Sequence, residues 1–469
     1  MGEYDFGMIG LGVMGSNLLL NMADHGYKVV GYDTNPAKTL SLETSAFGIP
    51  GVKGVNQLEA LVDALIKPRK IMMLVPAGKP VDEVIKSILP LLEMGDILID
   101  GGNSHYIDTL SRITVLKDKN IHFMGIGISG GEQGARSGPS IMPGGDQEAY
   151  MKVAPILQAI AAKVNGAPCV AFLGKNAAGH YVKMVHNGIE YAIMQLISEC
   201  YDLLKHGLGL TNDELQKVFA EWNNGEMRSY LLEITAEVFK KKDDNSTNYL
   251  VDMVLDKAGA KGTGKWTSQE GLDLPSPVPS VDMAVMMRNL STLREQRIKA
   301  NKLYNLQPQP LGIDREKAIE ELGSALMVAS IISYAQGIAM LTRASSELKM
   351  EIPIAKVIDV WKGGCIIRSE LLKGFSESLE NNPNLENILL DSKISRILLE
   401  KKESLMNVIV KAVSKNYPVP CMMASLSYLY GYCRSSLPTN LIQAQRDLFG
   451  SHTFQRIDRD GIFHSEWEI

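Results

Sequence analysis

Short apolar runs alternate with amphipathic segments over the first 178 residues of the chain. The apolar runs predict β-strands at Phe6–Ile9, Lys28–Tyr32, Ile71–Val75, Ile97–Asp100, His122–Ile126 and Cys169–Phe172. Segments with helical periodicity lie between them, at Asn17–Asp24, Val81–Leu92 and Ala149–Ala162. Strands that alternate with helices in this way are typical of right-handed βαβ units. We therefore expect residues 1–178 to form an α/β domain with a doubly wound, mostly parallel sheet.

The hydrophobic pattern changes at Gly179. Long segments with a period of about 3.6 residues predict helices, at His180–Lys205, Asp213–Glu221, Ser280–Lys302, Glu316–Ser346 and Pro353–Val360. We expect residues 179–434 to form an all-helical domain, which turn-rich stretches interrupt at Leu272–Pro279 and Gln307–Leu311. Residues 435–469 are polar and have too few apolar side chains for a core of their own. They form either a solvated tail or an arm that packs on another surface.

The helical part of the chain contains a weak internal repeat. Val182–Leu196 aligns with Ala325–Ala339 at an offset of 143 residues. A Trp-x-x-Gly motif followed by Arg-Ser-x-Leu-Leu occurs after each copy, beginning at Trp222 and at Trp361. The repeat predicts two similar helix bundles stacked on each other.

Composition and charge narrow the functional classes. With 469 residues and a net charge of −5, the chain should hold two or three domains and should not bind nucleic acid through a basic surface. An odd number of widely spaced cysteines without a CxxC pair argues against a disulfide framework or a zinc ribbon; these are Cys169, Cys200, Cys365, Cys421 and Cys433. The acidic N-terminus is unlike a signal peptide, and no run of about 18 apolar residues predicts a membrane span. We expect a soluble cytoplasmic protein.

A glycine-rich sequence, Gly10-Leu11-Gly12-Val13-Met14-Gly15, joins the first predicted strand to the first helix. Glycines at this turn allow a pyrophosphate to approach the backbone N–H groups of a helix N-terminus. Asp33 ends the second strand 18 positions after Gly15, where a carboxylate can accept hydrogen bonds from an adenosine ribose. The motif predicts a Rossmann-type dinucleotide-binding domain, and a glycine turn of purely structural use is the alternative.

Five polar residues recur at helical spacing in an otherwise apolar segment, namely Lys183, His186, Asn187, Glu190 and Tyr191. On a helix this spacing places them on one face. At the first four of these positions the second repeat copy carries Leu326, Ala329, Ser330 and Ser333, so packing alone does not require the polar groups. A buried lysine with a lowered pKa suits a general base, and a glutamate nearby can serve as the acid. We predict a catalytic face, not a solvated one, and no metal site because further ligands at metal spacing are lacking.

Two glycine-rich loops follow predicted strands, where ligands of open α/β sheets bind. They are Asp100–Ser104, which contains Asn103, and Ile126–Glu132, which contains Ser129, Gly130 and Gly131. Flexible turns without a ligand are the alternative. A third loop, Lys261–Trp266, is basic and glycine-spaced but lacks the full spacing of a P-loop. Single residues such as Arg288, Arg446 and His452 carry no signal of their own.

Over essentially its whole length the sequence resembles the decarboxylating 6-phosphogluconate dehydrogenases. The resemblance rests on segments spread along the chain, which are Gly10–Gly15, Asp100–Ser104, Ser129–Glu132, Gly138–Gly145, Gly179–Tyr191, Lys261–Trp266 and Gln443–Thr453. It implies oxidative decarboxylation of 6-phosphogluconate to ribulose 5-phosphate and CO2, with reduction of a nicotinamide dinucleotide. It also implies a homodimer in which the C-terminal tail reaches the partner subunit's active site.

The same resemblance implies a role for each site residue, with Lys183 as general base and Glu190 as general acid. The implied substrate contacts are Asn103, Ser129, Gly130, Gly131, His186, Asn187, Tyr191, Lys261, Arg288, Arg446 and His452. The implied dinucleotide contacts are Gly10, Leu11, Gly12, Val13, Met14, Gly15, Asp33, Thr34, Asn35, Val75, Pro76, Ala77 and Asn103. No metal is needed, because a lysine ammonium polarises the substrate.

Two short segments depart from the family pattern. Asp33-Thr34-Asn35 stands where many members have Asn-Arg-Thr, and Val75-Pro76-Ala77 stands where the family usually has Val-Lys-Ala. Because Asp33 is acidic and the arginine is replaced by Thr34, we expect NAD to be preferred to NADP, although Lys38 can still reach a 2′-phosphate. A non-decarboxylating β-hydroxyacid dehydrogenase and a non-catalytic dinucleotide-binding sensor are the remaining alternatives.

Overall fold

The apolar runs of the N-terminal part lie side by side in one sheet of the computed structural model, which describes residues 2–467. The strands are β1 (Phe6–Ile9), β2 (Val29–Tyr32), β3 (Val52–Val55), β4 (Lys70–Met73), β5 (Ile97–Asp100), β6 (His122–Ser129) and β7 (Ser140–Gly145). They are ordered β3-β2-β1-β4-β5-β6-β7, and β7 runs antiparallel to β6 while the other neighbours are parallel. The helices of this part are α1 (Val13–Asp24), α2 (Pro36–Ser45), α3 (Leu58–Ala64), α4 (Lys79–Ile88), α5 (Tyr106–Lys117), α6 (Gly131–Ser137) and α7 (Gln147–Ile160).

Each face of this sheet has its own core. Met8 of β1 packs in a cluster with side chains of α1 and α7, whereas the next residue, Ile9, packs in a cluster with side chains of α3 and α4. Successive residues of a strand point to opposite faces, so both faces are covered. The expected doubly wound, mostly parallel α/β domain is confirmed.

Two element predictions were wrong. Cys169–Phe172 is not a strand: it follows a short hairpin of β8 (Lys163–Val164) and β9 (Ala167–Pro168) and forms a single bridge to β7. Pro143 of β7 has no N–H to donate, which prevents a continuous ladder there. Ser280–Lys302 is two helices instead of one, because the hydroxyls of Ser291 and Thr292 bond to carbonyls one turn back and end the first helix.

The second part of the chain is helical, as expected. Its helices are α8 (Ala178–Asp202), α9 (Asn212–Trp222), α10 (Tyr230–Val238), α11 (Leu250–Met253), α12 (Thr263–Asp273), α13 (Pro279–Ser291), α14 (Arg294–Tyr304), α15 (Arg315–Glu347), α16 (Ile354–Trp361), α17 (Leu371–Asn381), α18 (Ser392–Ser414), α19 (Pro420–Tyr432) and α20 (Thr439–Gly450). One large core contains residues of both long helices, α8 and α15.

The internal repeat appears in the structure as reciprocal packing. Ser229 of the first copy pairs with Ser369, its equivalent in the second copy, in an antiparallel bridge. Trp222 packs against Gly323 of α15, and Trp361 packs against His186 of α8 with ring centroids 5.8 Å apart. Each tryptophan therefore stabilises the long helix of the other copy.

By length and composition alone, helix α15 could cross a membrane, although it contains no continuous run of about 18 apolar residues. In the fold, 89% of its most apolar window is buried inside the protein. Its hydrophobicity is that of a central core helix.

The C-terminal tail folds around one carboxylate. Asp447 of α20 is fully buried and accepts hydrogen bonds from Thr453 N, His464 Nδ1, Ser465 N and Trp467 Nε1. Burial by itself would raise the pKa of Asp447, but these four hydrogen bonds lower it well below its usual value. Within residues 2–467, no hydrogen bond or ion pair joins the segment from Ser435 onward to the rest of the chain.

Candidate active site

The glycine loop between β1 and α1 has room for a ligand at one position. Gly10 has a φ of +97°, and Gly15 lies so close to Gly10 O that a side chain there would overlap it. Gly12 is different, because its backbone is extended and a Cβ built on it has nothing within 4 Å. No side chain caps the N-terminus of α1, so its N–H groups face the open space beside Gly12. Leu11, Val13 and Met14 complete this turn, which fits a dinucleotide pyrophosphate.

Asp33 connects the glycine loop to the end of β2. Its Oδ2 accepts a hydrogen bond from Leu11 N at 2.8 Å, and its Oδ1 accepts one from Asn35 N at 2.9 Å. The Lys38 ammonium lies 3.3 Å from Oδ2. Burial acts to raise the pKa of Asp33, but the two backbone bonds and Lys38 together lower it, which keeps the carboxylate ionised.

A cavity of about 390 Å³ extends from this carboxylate. The predicted dinucleotide residues that line it are Gly10, Asp33, Thr34, Val75 and Pro76, and Glu83 of α4 adds a second carboxylate to its wall. Ala77 is exposed on the loop after β4, and Asn35 caps α2.

Glycines allow helix α8 to approach the sheet closely. A Cβ on Gly127 of β6 would overlap the side-chain stem of Lys183, and one on Gly144 of β7 would overlap the backbone of Gly179. The first turns of α8 therefore lie directly on β6 and β7, and the lysine stem crosses the strand that ends at Ser129. The packing brings Lys183 of α8 to the end of β6, where Ser129 lies 54 positions earlier in the chain.

Lys183, His186, Asn187 and Glu190 form one polar cluster on α8. The Lys183 Nζ lies 3.5 Å from His186 Nδ1, and Glu190 Oε2 lies 3.8 Å from the same nitrogen. Asn187 Nδ2 donates to Thr263 Oγ1 at 3.0 Å, which leaves Asn187 Oδ1 to accept from His186 Nδ1 at 2.9 Å. His186 Nε2, 3.3 Å from Ser129 Oγ, is then the acceptor of the neutral ring.

Burial sets the protonation of this cluster. It lowers the pKa of the Lys183 ammonium, against the partial opposition of the Glu190 charge. It also lowers the pKa of His186 well below its usual value, and the neighbouring lysine adds to this effect. Burial raises the pKa of Glu190, although the positive charges of Lys183 and Arg288 partly offset this increase. The shifts favour the neutral form of the lysine and the protonated form of the glutamate, and both groups lie close to His186 Nδ1.

Helix α12 brings a cationic loop to the other end of the cluster. Gly188 of α8 contacts Thr267, and Gly264 leaves no room for a side chain beside the Tyr191 ring. Arg288 of α13 stacks on that ring with its guanidinium carbon 3.6 Å from the centroid. Arg288 Nη1 also donates to Gly259 O at 2.7 Å, two residues before the exposed Lys261, so the loop that carries Lys261 lies beside Arg288. Thr263, which bonds to Asn187, was not singled out from the sequence, and its place inside the basic loop was the available signal.

The two remaining loops each follow a residue that is hydrogen-bonded to α8, Ser129 to His186 and Asp100 to His180. Gly130 and Gly131 follow Ser129 at the start of α6, and both have positive φ angles. Asn103 is exposed on the loop after β5, one residue before the buried Ser104.

The tail residues are not brought to this cluster within one chain. Arg446 Nη1 donates to Gln443 within α20, and the His452 ring packs against Phe449. Within residues 2–467, no group of three or more His, Cys, Asp or Glu side chains is arranged to hold a metal ion.

Comparison with known proteins gives matches along the full chain. The family description "NAD binding domain of 6-phosphogluconate dehydrogenase" matches residues 5–174, and "6-phosphogluconate dehydrogenase, C-terminal domain" matches residues 179–467. A Lactococcus lactis subsp. cremoris protein named 6-phosphogluconate dehydrogenase, decarboxylating, is 48% identical, with 100% of this chain and 99% of that protein covered. A Bacillus subtilis protein named as the NADP(+)-dependent, decarboxylating enzyme is 49% identical, with 100% of both covered.

A solved structure is similar as well. The Plasmodium falciparum 6-phosphogluconate dehydrogenase, described in its apo form and in complexes with NADP+ and with 6-phosphogluconate, superposes with a TM-score of 0.95. It is 44% identical, and the alignment covers 99% of this chain and 100% of that one.

Proposed function

Since the chain belongs to the 6-phosphogluconate dehydrogenase family, we propose that it converts 6-phospho-D-gluconate to D-ribulose 5-phosphate and CO2 while a nicotinamide dinucleotide is reduced. The observation that carries the proposal is the buried Lys183, whose Nζ lies 3.5 Å from His186 Nδ1, on the ring that also contacts Ser129 and Glu190. A solvated helix face would show neither the burial nor the opposite pKa shifts.

Lys183 begins the reaction as a general base. In its neutral form it takes the proton of the C3 hydroxyl as the C3–H bond breaks, and the bound nicotinamide supplies the acceptor for the departing hydride. Ser129, His186 and Asn187 are linked by hydrogen bonds and present their polar groups to the substrate hydroxyls around C3. The step leaves a 3-keto acid and a charged Lys183.

Decarboxylation uses the charge that Lys183 has gained. The bond between C1 and C2 breaks, CO2 leaves, and the electron pair moves toward the C3 oxygen, to which Lys183 donates its proton. Glu190 then protonates the former C2, which is C1 of the product, and Lys183 takes back the hydroxyl proton as the ketone forms. Acid and base thus act on adjacent carbons without a metal.

We propose that the protein is a homodimer whose tail completes the partner's site. Arg446 and His452 make their contacts within the tail of their own chain, and α20 exposes Leu441, Ile442 and Phe449 at 62%, 56% and 70%. An exposed apolar helix of this kind fits a second copy of the chain. Arg446 would then join Lys261 and Arg288 around the substrate phosphate.

We further propose that NAD is the preferred cofactor and that the enzyme works in the cytoplasm. The cavity beside the glycine loop has the carboxylates of Asp33 and Glu83 in its wall, and the exposed position 34 is a neutral threonine. Lys38, the nearest cation, is already paired with Asp33. A 2′-phosphate would therefore meet two negative charges and no arginine. The five free thiols suit a reducing compartment.

One set of assays tests the proposal. The protein is incubated with 6-phosphogluconate and with NAD or NADP, and reduction of the dinucleotide and release of CO2 are both followed. Reduction with equal CO2 supports the proposal, reduction without CO2 would indicate a non-decarboxylating β-hydroxyacid dehydrogenase, and binding without reduction would indicate a sensor. A kcat/KM that is higher with NADP than with NAD would overturn the cofactor preference alone. The double substitution Asp33→Asn with Thr34→Arg should shift that ratio toward NADP.

A further inference from the structure

A buried arginine lies behind the two loops at the carboxyl ends of β4 and β5. Arg112 of α5 is 6% exposed, and its guanidinium donates in three directions. Nη2 donates to Gly78 O at 3.1 Å, and Nε donates to Asp82 Oδ1 at 2.7 Å. Nη1 donates to Asp100 Oδ2 at 3.3 Å and lies 3.4 Å from Ser104 Oγ.

These partners belong to two different loops. Gly78 ends the loop that contains Val75, and Ser104 lies in the loop that carries Asn103. The Asn103 loop contains Gly101 and Gly102, and the other loop ends at Gly78 with a φ of +86°, so no side chain restricts the backbone at these three positions. A planar guanidinium with five donors can hold both loops at once, whereas a lysine ammonium cannot match this geometry.

The network continues to the catalytic helix. Asp100, which ends β5, accepts a hydrogen bond from Ser104 Oγ at 2.6 Å through its side chain. Its backbone oxygen accepts one at 3.0 Å from His180 Nε2, on the same helix turn as Lys183. Burial lowers the pKa of His180, so the neutral ring uses its other nitrogen to accept from Thr109. A continuous set of hydrogen bonds thus joins the Val75–Gly78 loop to α8.

We infer that Arg112 is a positioning residue that holds the dinucleotide loop and the Asn103 loop in one fixed arrangement. The guanidinium is enclosed by its partners and acts through the two loops. A dinucleotide bound against Val75–Gly78 then meets a substrate held by Asn103 in a constant geometry relative to Lys183. The inference rests on the proposed function and adds the residue that aligns its two ligands.

Arg69 offers a matched control at the opposite end of the same strands. It is also 6% exposed, and its Nη1 donates to Asp96 Oδ2 at 2.9 Å. Asp96 precedes β5, whereas Asp100 ends it. Substitution of either arginine disturbs a buried ion pair of the sheet, but only Arg112 touches the two loops.

The experiment compares Arg112→Lys with Arg69→Lys. The dissociation constant of the dinucleotide is measured by calorimetry without substrate, and amide hydrogen exchange is followed in residues 75–79 and 101–105. Arg112→Lys should weaken dinucleotide binding about tenfold and speed exchange in both segments, because misaligned loops no longer present a preformed surface. The isotope effect with substrate deuterated at C3 should rise as hydride transfer becomes slower. Arg69→Lys should lower the unfolding temperature similarly but leave these quantities within about twofold of wild type.

A second variant keeps the inference testable if Arg112→Lys does not fold. The Asp82 side chain is 59% exposed, so Asp82→Asn removes one charged partner without opening the core. It should shift binding and exchange in the same direction by about threefold. Wild-type values in both variants, or equal effects from Arg69→Lys, would overturn the positioning role. Dinucleotide affinity and exchange need no turnover, so a wild-type protein inactive on 6-phosphogluconate would count against the proposed function alone.

Discussion

Gly12 and Gly15 occupy the same loop but have different physical requirements. Gly15 is needed by the protein itself, because any side chain would overlap Gly10 O. Gly12 has an extended backbone that any residue can adopt and open space where its side chain would stand. The fold itself therefore does not require a glycine at position 12, and we expect a bound dinucleotide to require it.

This difference predicts opposite results for two alanine substitutions. Gly15→Ala should destabilise the protein by roughly 1–3 kcal/mol through overpacking. Gly12→Ala should leave the free energy of unfolding unchanged or raise it by about 0.4–1 kcal/mol, yet weaken dinucleotide binding. Urea unfolding and calorimetric titration of each variant with NAD measure the two effects. Unchanged affinity in Gly12→Ala would mean that the pyrophosphate does not approach this backbone.

Lys183 is the residue on which the proposed chemistry depends most. Its stem is packed under Gly127, and methionine has a similar length without the amine. Lys183→Met should fold normally and lose on the order of 10²–10⁴ in kcat, the scale of a general base. The measurement is steady-state kinetics with circular dichroism as the control for folding. Activity within a few-fold of wild type would refute the assignment.

At the scale of elements, the two long helices show how one scaffold serves packing or catalysis. The α15 positions equivalent to the catalytic face of α8 include Leu326, Ala329 and Ser333, all buried in the core. The α8 face is also buried at Lys183 and His186, but there it borders the loops of the sheet. The same helix geometry thus gives a core in one copy and a site in the other.

Another buried carboxyl group on α8, that of Glu199, joins this helix to α19. Glu199 accepts hydrogen bonds from Cys421 N and Met422 N at the start of α19, at 2.9 and 3.0 Å. Burial raises its pKa from 4.5 to about 7, although these N–H groups and Gln195 counteract. The folded protein therefore holds a proton between these pH values that the unfolded chain has released.

This raised pKa predicts a slope in stability. The free energy of unfolding should decrease as the pH rises from about 4.5 to about 7, by at most about 3 kcal/mol from this group, and level off above that range. Glu199→Gln should remove this component of the slope. Glu214→Gln is the control, because Glu214 accepts a hydrogen bond from Thr211 N in the capping box at the start of α9, and the bonds from Thr211 lower its pKa. The free energy of unfolding of each variant is measured by urea unfolding across this pH range. The same pH slope in Glu199→Gln as in the wild type would contradict the prediction.

At the scale of the whole molecule, the homodimer proposal implies that the tail of each chain completes the site of its partner. The tail has its own small hydrogen-bonded centre at Asp447, and Arg446 and His452 make their contacts within the tail. Its exposed apolar side chains require another surface, and the homodimer proposal supplies one.

The dimer proposal predicts the behaviour of truncated and mixed proteins. Truncation before Ser435 should leave the domains folded but abolish turnover, because Arg446 and His452 are lost. Heterodimers of Lys183→Met with Arg446→Ala subunits should regain up to about half of the wild-type activity, since one of the two sites then has both residues intact. The test is activity of heterodimers isolated with two affinity tags. Heterodimers no more active than the parent variants would exclude a shared site.

The amino-acid sequence by itself determined the two-part architecture, the glycine loop and the polar face of α8. These features depend on local periodicity and on residues close together in the chain, so the sequence alone is enough to predict them. The sequence pattern did not predict β7, because Pro143 and the glycines that follow it obscure the strand pattern. It also predicted α13 and α14 as one helix, because hydrogen bonds from the Ser291 and Thr292 hydroxyls to backbone carbonyls mark the boundary between them.

Only the tertiary structure decided the states of the charged groups and their alignment. Lys183 has a lowered pKa because β6 and the rest of the helical core, far away in sequence, exclude water from it. Arg112 links loops that its own sequence context does not suggest, and the tail residues lie outside the site of their own chain. Desolvation and charge–charge contacts are properties of the assembled fold, and no periodicity along the chain encodes them directly.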